Sequence, residues 1–161
     1  MSMQTSIVRG YGIDSTTLDL VTTENVLGFI EKHCSVLYKK MMKEVGSEDG
    51  SYLEADCENW LSENGQFGDD FREFCRWDEN KFYLIVFVME KETGIKFLYA
   101  NGNDPDLDGN KAILLTSGMP WEYSVTERGL TEQELSDLFK GYFSDLKLNV
   151  TPDYVEVFYY G

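Results

Sequence analysis

The sequence predicts an α+β fold, in which a largely antiparallel sheet of four to five strands packs with two long helices and two short ones. Helical and strand-like segments are grouped along the chain instead of alternating, which favours this class over α/β. The chain has 161 residues, of which 42% are hydrophobic, so it has the length of one domain and can form a core. Without repeats, low-complexity tracts or linkers, residues 1–161 are predicted to form one domain.

The first elements are predicted to be a strand and a long helix. A short strand within residues 1–9 is expected to end at Gly10-Tyr11-Gly12, where the glycines permit a sharp change of direction. The helix begins after Thr22, a suitable N-cap, and ends at Gly46. Its apolar face is formed by residues at helical spacing, which are Val26, Ile30, Leu37, Met41 and Val45.

Two shorter helices are expected between residues 47 and 80. One covers about residues 52–63 and ends at Asn64-Gly65. The other follows Asp70, which stands three residues before Glu73 as in a capping box. Trp60 and Trp77 are expected on the buried sides of these helices.

The next part of the chain has the composition of a sheet. Residues 82–89, FYLIVFVM, are rich in aromatic and β-branched side chains and apolar throughout, which is typical of a central strand buried on both faces. Residues 91–94 are interpreted as a hairpin turn. Two further strands, at 95–100 and 111–116, would complete a meander.

A second long helix and a final strand follow. Thr131 and Glu134 form a capping box, and the helix that they begin is expected to run to about residue 147 and pack on the sheet. Residues 154–160 are rich in aromatic residues and valine, which predicts the last strand.

The charge is strongly acidic and unevenly distributed. Lys and Arg number 14 and Asp and Glu 29, which gives a net charge of -15. Residues 44–79 alone hold twelve acidic and two basic residues. This charge excludes direct binding to nucleic acid or to an anionic membrane, because both require a cationic protein surface.

The sequence predicts a cytoplasmic protein. The first thirty residues lack a basic region followed by an apolar one, so no secretory signal is expected. The longest apolar run has eight residues, whereas a membrane-spanning helix needs about 20. The three cysteines are odd in number and widely spaced, which predicts reduced thiols.

The acidic segment is the first candidate binding site. Glu54 and Glu58 are one helical turn apart, about 6 Å along the axis, which is close to the advance of two nucleotides at about 3.4 Å each. Carboxylates at this spacing can occupy positions that a basic groove offers to phosphates. The alternative is a solvated face that keeps the protein soluble. The predicted partner-binding residues are Glu48, Asp49, Glu54, Asp56, Glu58, Asp69 and Asp70.

The second candidate is a metal loop. Asp104, Asp106, Asp108 and Gly109 match the first six positions of a D-x-D-x-D-G calcium loop. Position twelve, however, is Leu115, where a bidentate Glu is required, and the flanks are predicted to be strands instead of helices. We therefore expect at most weak calcium binding at the three aspartates, and the alternative is an acidic hairpin loop.

Motifs for catalysis are not found, and we predict that the protein is not an enzyme. His33 and Cys34 are adjacent, but neighbouring residues on a helix point about 100° apart, so they are poorly placed as a nucleophile pair. The sequence has no G-x-G-x-x-G, G-x-x-x-x-G-K-[ST] or G-x-S-x-G pattern. No cofactor is expected.

These observations predict a non-catalytic acidic interaction protein that masks the basic nucleic-acid-binding surface of a partner, such as a nuclease. In size, acidity and lack of catalytic motifs it is comparable with phage-encoded DNA mimics and anti-CRISPR inhibitors. The alternatives are an immunity protein against a toxin nuclease and a calcium-dependent binding module. Residues 117–129, with Trp121 and Tyr123, are the next candidate for an interface.

Overall fold

The α+β prediction is confirmed by the structure, a computed structural model that describes residues 5–64, 77–102, 111–115 and 129–160. These residues form one antiparallel four-stranded sheet and six helices. In chain order the elements are β1 (Thr5–Asp14), α1 (Ser15–Leu18), α2 (Thr23–His33), α3 (Ser35–Val45), α4 (Glu54–Asn64), α5 (Trp77–Thr93), β2 (Leu98–Asn101), β3 (Lys111–Leu115), α6 (Glu132–Asp145) and β4 (Asp153–Tyr160).

The sheet has the strand order β2-β3-β1-β4, so β3 and β1 are its inner strands. β1 pairs along Thr5–Gly12 with β4, in a register that places Tyr11 opposite Tyr154. On its other side β1 pairs with β3, where Ile13 lies opposite Ile113.

The glycines of β1 do not end the strand, contrary to the sequence-based expectation. Gly10 and Gly12 lie inside β1, where the backbone of β3 approaches closely. A Cβ atom at Gly12 would stand 2.1 Å from the carbonyl oxygen of Ile113, and one at Gly10 would stand 2.6 Å from that of Leu115. These positions therefore require glycine for a close backbone approach and not for a turn.

The predicted central strand at 82–89 is wrong, because these residues form the middle of the 17-residue helix α5. Six of the eight side chains are buried, and Tyr83 and Phe87 are half-buried. A helix that is covered on almost all sides is apolar all round, and such a run shows neither strand nor helix periodicity. The charges at the ends of α5 suit the helix dipole, since Asp78 and Glu79 lie in the first turn and Lys91 in the last.

The hairpin predicted at 91–94 is also wrong. Lys91–Thr93 form the last turn of α5, and Gly94 follows with a positive φ of 70°. The amide of Gly94 donates to the carbonyl of Glu90 at 2.8 Å, as expected for a glycine directly after a helix. The predicted strand 95–100 is observed only as β2, which begins at Leu98.

The predicted helix from Thr22 to Gly46 is divided into α2 and α3. Thr22 caps α2 through a bond from the amide of Asn25, and Gly46 ends α3, as predicted. Cys34 leaves the helical conformation, with φ -132° and ψ 56°, and separates the two helices. The apolar stripe steps by seven positions from Ile30 to Leu37, and this step spans the break.

Helix α6 packs on the sheet, as predicted. Thr131 caps it by accepting a bond from the amide of Glu134 at 3.1 Å. The ring of Phe139 stands 6.1 Å from that of Tyr11 on β1 and 5.5 Å from that of Phe97. Helix α5 packs on the sheet as well, since the centre of the Phe82 ring lies 5.0 Å from the centre of the Tyr99 ring on β2. Within the described ranges, none of the helices combines the length and apolarity that crossing a membrane requires.

Candidate functional site

Residues 47–56 of the acidic segment are exposed between the end of α3 and the first turn of α4. Glu48, Asp49, Glu54 and Asp56 are exposed. Asp49 is held in a turn, where its carboxylate accepts bonds from the amide and hydroxyl of Ser51 at 3.0 and 2.6 Å. These bonds lower the pKa of Asp49 and keep it ionised. Four of the seven predicted partner-binding residues therefore face solvent.

The other three predicted residues differ from these four. Glu58 is half-buried and accepts a 2.6 Å bond from the hydroxyl of Thr23, which itself accepts from the indole of Trp77 at 2.8 Å. Glu58 therefore joins α4 to α2 and is less available to a partner. Asp69 and Asp70 lie outside the described residues.

Trp60 is only 8% exposed, as the sequence predicted, whereas Tyr52 and Leu53 are 37% and 68% exposed. The indole of Trp60 donates to the carboxylate of Glu44, which joins α4 to α3. Leu53 directly precedes the first turn of α4, between exposed carboxylates at 49 and 54. Two exposed apolar side chains thus lie inside the acidic segment.

Two carboxylates of α2 extend this surface. Burial raises the pKa of Tyr52, and the thiol of Cys57 and the carboxylates of Glu24, Glu54 and Glu31 raise it further. Both Glu24 and Glu31 are exposed on α2, more than twenty residues before Tyr52. We define the acidic surface as the exposed residues Glu24, Glu31, Glu48, Asp49, Tyr52, Leu53, Glu54 and Asp56.

The sequence did not indicate Glu24 and Glu31, because residues 1–43 hold four acidic and five basic residues and show no acidic excess. Their place beside Tyr52 depends on the packing of α2 against α4. The sequence shows that Glu24 and Glu31 are seven residues apart on one helix. No local sequence pattern, however, indicates that this helix lies near Tyr52.

The single histidine stands between two carboxylates in a second cluster. Its Nδ1 lies 2.8 Å from a carboxylate oxygen of Glu92 on α5, and its Nε2 lies 2.8 Å from one of Asp145 on α6. Lys32 adds a 2.6 Å ion pair to Asp145, and the hydroxyl of Tyr142 donates to Glu92 at 2.9 Å. The His33 side chain is 11% exposed, whereas those of Asp145 and Glu92 are 21% and 38% exposed, so a mostly buried ring joins three helices near the surface.

The imidazole of His33 bridges two carboxylates, because each ring nitrogen lies within hydrogen-bond distance of one of them. Burial alone would raise the pKa of Asp145, but the hydrogen bonds from Lys32 and His33 outweigh it and hold this pKa below its usual value. Both ring nitrogens are thus occupied by carboxylates, and His33 is not oriented toward the neighbouring thiol. The cluster is suited to holding helices together.

A cavity of about 660 Å³ adjoins His33 at the break between α2 and α3. Cys34 lies in its wall, and burial raises the pKa of this thiol against the opposing effect of Lys91. The thiol is therefore protonated at neutral pH. The other lining residues are His33, Ser35, Val36, Leu37, Lys40, Phe87, Val88, Lys91 and Glu92.

The predicted calcium ligands Asp104, Asp106 and Asp108 lie outside the described residues. Within the described parts of the chain, no group of three or more His, Cys, Asp or Glu side chains is placed to hold a metal ion. The strand predicted after the loop is present as β3.

Comparison with known proteins gives no family assignment. The sequence matches no protein-family model, and searches of curated proteins and of solved structures found no similar protein. The charge, exposure and hydrogen bonding of the chain's own residues are therefore the grounds on which a function is proposed.

Proposed function

We propose that the protein is a non-catalytic binding protein whose acidic surface covers the basic, nucleic-acid-binding surface of a partner protein. The observation that carries this proposal is the exposure of Leu53 and Tyr52 among carboxylates. Leu53 is 68% exposed and adjoins the exposed Tyr52, and an interface uses such adjacent apolar side chains as anchors.

Charge complementarity favours a basic partner over a neutral one. Residues 44–64 contain seven acidic residues and no lysine or arginine. On α2, Glu24 and Glu31 stand about 10 Å apart along the axis, which is close to the advance of three nucleotides at about 3.4 Å each. Glu24 and Glu31 lie on α2 and Glu54 and Asp56 on α4, and these two helices contact one another, so a basic groove would meet the four carboxylates at fixed positions.

Competition with DNA tests this proposal. The protein is titrated into complexes of purified basic nucleases and DNA-binding proteins with a fluorescent DNA duplex, at low and at physiological salt. We expect release of the duplex from at least one member, with an apparent affinity that falls steeply as salt rises. If no member releases its duplex at low salt, the proposal is wrong.

A charge variant locates the interface. The triple change Glu48→Gln, Glu54→Gln and Asp56→Asn leaves out Glu58, because Glu58 holds α4 to α2. We expect it to slow association by about threefold to tenfold through loss of electrostatic attraction. The matched control changes three exposed acids on α6 and β4, Glu132→Gln, Asp137→Asn and Asp153→Asn, and should alter the rate much less. Equal effects of the two triples would place the interface elsewhere.

The anchor role of Leu53 has a different kinetic effect. Leu53→Ser removes apolar contact area without changing charge, so it should speed dissociation and leave association nearly unchanged. Stopped-flow measurement separates the two rates. An unchanged dissociation rate would remove Leu53 from the interface.

A further inference from the structure

We propose that the cavity at the break between α2 and α3 binds a small amphipathic carboxylate, that is, an apolar molecule with one anionic end. The cavity lies between the Cys34 break and helix α5 and does not include any residue of the acidic surface. The proposal is therefore independent of the partner-binding function.

The size and wall of the cavity fit a small molecule. Its volume of about 660 Å³ lies within the usual range of ligand pockets, roughly 300 to 1,000 Å³. Leu37 of α3 and Phe87 and Val88 of α5 give it an apolar wall. An apolar ligand body would replace water on these side chains, which favours binding in proportion to the area covered.

The charges of the cavity fit an anion. Lys40 on α3 and Lys91 on α5 both line it, and within the described residues neither lysine forms an ion pair. Among the described residues, Glu92 is the one acidic residue of the wall, and its carboxylate already interacts with His33 and with the hydroxyl of Tyr142. In a chain of net charge -15, this wall has an excess of cationic groups.

Lys91 lies where it can bind the anionic end of the ligand while the apolar part contacts the cavity wall. Its Nζ stands 5.9 Å from the centre of the Phe87 ring, so the ammonium lies above the apolar wall. A carboxylate bound to this ammonium would leave its hydrocarbon part against Phe87 and Val88. A cationic or neutral molecule of the same shape would lack this ion pair, which predicts selectivity for the anion.

Decanoate is the probe for this proposal, and 1-decanol and decylammonium are its neutral and cationic counterparts. In two-dimensional NMR titrations of the full chain, decanoate should bind saturably in the millimolar range or tighter. The shift changes should centre on Ser35, Leu37 and Val88. Decanol should bind at least about fivefold more weakly, and decylammonium should not bind in this cavity. The reason is that only decanoate can form an ion pair with the lysines.

A matched pair of variants tests the lysines. The double change Lys40→Met and Lys91→Met should weaken decanoate binding by about tenfold. The control double change Lys39→Met and Lys43→Met alters the net charge equally on exposed positions outside the cavity wall, and should leave the affinity within about twofold. Equal weakening by both pairs would show that only overall charge matters, and would overturn the proposal.

Alkylation of Cys34 tests the location in the unaltered chain. Cys34 is half-exposed in the cavity wall, so bound decanoate should slow its reaction with N-ethylmaleimide, measured by peptide mass spectrometry. Saturating decanoate should reduce the rate several-fold, and decylammonium should not. An unchanged rate, or the absence of saturable decanoate binding, would refute the site even if the variants fail to fold.

Discussion

His33 shows at the scale of one residue how much a side chain depends on distant partners. Its sequence neighbour is Cys34, but its hydrogen-bond partners are Glu92 and Asp145, 59 and 112 residues away. Two hydrogen bonds to one mostly buried ring contribute more to stability than an exposed surface ion pair does. His33 is therefore the position at which a single substitution tests the joining of α2, α5 and α6.

We expect His33→Gln to lower the free energy of unfolding by about 1 to 3 kcal/mol, because glutamine has a single side-chain nitrogen and leaves one carboxylate without its hydrogen bond. Urea denaturation followed by circular dichroism measures this change. Lys32→Gln is the control, since Lys32 pairs with the same Asp145 from a more exposed position and should cost less than about 1 kcal/mol. Equal costs would contradict the special role of the imidazole.

The lowered pKa of Asp145 predicts a pH dependence of stability. A carboxyl group whose pKa is lower in the folded than in the unfolded chain stabilises the fold above the unfolded value, about 3.9 for Asp. This contribution is lost as the pH falls through the lower folded value. The stability difference between the unaltered chain and Asp145→Asn should therefore shrink as the pH falls below about 4. A difference that does not change with pH would be inconsistent with the Lys32 and His33 bonds.

At the scale of elements, substitution of glycine should have opposite effects on stability at the end of a helix and inside one. Gly94 ends α5 with a φ of 70°, so Gly94→Ala should destabilise the protein by about 1 kcal/mol. Gly141 lies within α6 with open space around it, so Gly141→Ala should stabilise the protein by about 0.5 to 1 kcal/mol. Thermal unfolding compares the two variants. If 91–94 were a hairpin turn, Gly94→Ala would leave the helix content unchanged and disturb strand pairing instead.

The loop between β2 and β3 carries the remaining prediction of the sequence. Because Leu115 stands where a bidentate Glu is needed, calcium binding at Asp104, Asp106 and Asp108 is expected only in the range of roughly 10⁻⁴ to 10⁻³ M. Calorimetric titration and the melting temperature in millimolar calcium measure this. Asp106→Asn with Asp108→Asn should abolish any heat and any shift. If residues 104–109 form only an acidic turn, the unaltered chain will show no heat of binding and no shift of the melting temperature at several millimolar calcium.

At the scale of the whole molecule, the net charge of -15 destabilises the compact state through repulsion between carboxylates. Added salt screens this repulsion, so the melting temperature should rise between 10 and 200 mM NaCl, a range that crosses a Debye length of about 10 Å. The variant Glu48→Gln, Glu54→Gln and Asp56→Asn removes three charges and should show a smaller rise. A fall of the melting temperature with salt would mean that ion pairs outweigh the repulsion.

The features that the sequence predicted correctly are those that depend on a few neighbouring residues. The caps at Thr22 and Thr131 and the end of α3 at Gly46 were confirmed, because each uses hydrogen bonds that close within three or four residues. The exposed carboxylates at 48, 49, 54 and 56 follow from composition, since unpaired charges are rarely buried. The α+β class followed from the order of the segments.

Only the tertiary structure decided the state of residues 82–89, because a segment covered on all sides loses the periodicity that separates helix from strand. It also decided that Glu24 and Glu31 join Tyr52, that Glu58 points to Thr23, and that His33 bonds to Glu92 and Asp145. The bonds of Glu58 and His33 join separate helices, and Tyr52 lies in the segment that precedes α4. Local patterns in a sequence record the short-range hydrogen bonds of the backbone, whereas such contacts exist only once the apolar faces have packed together.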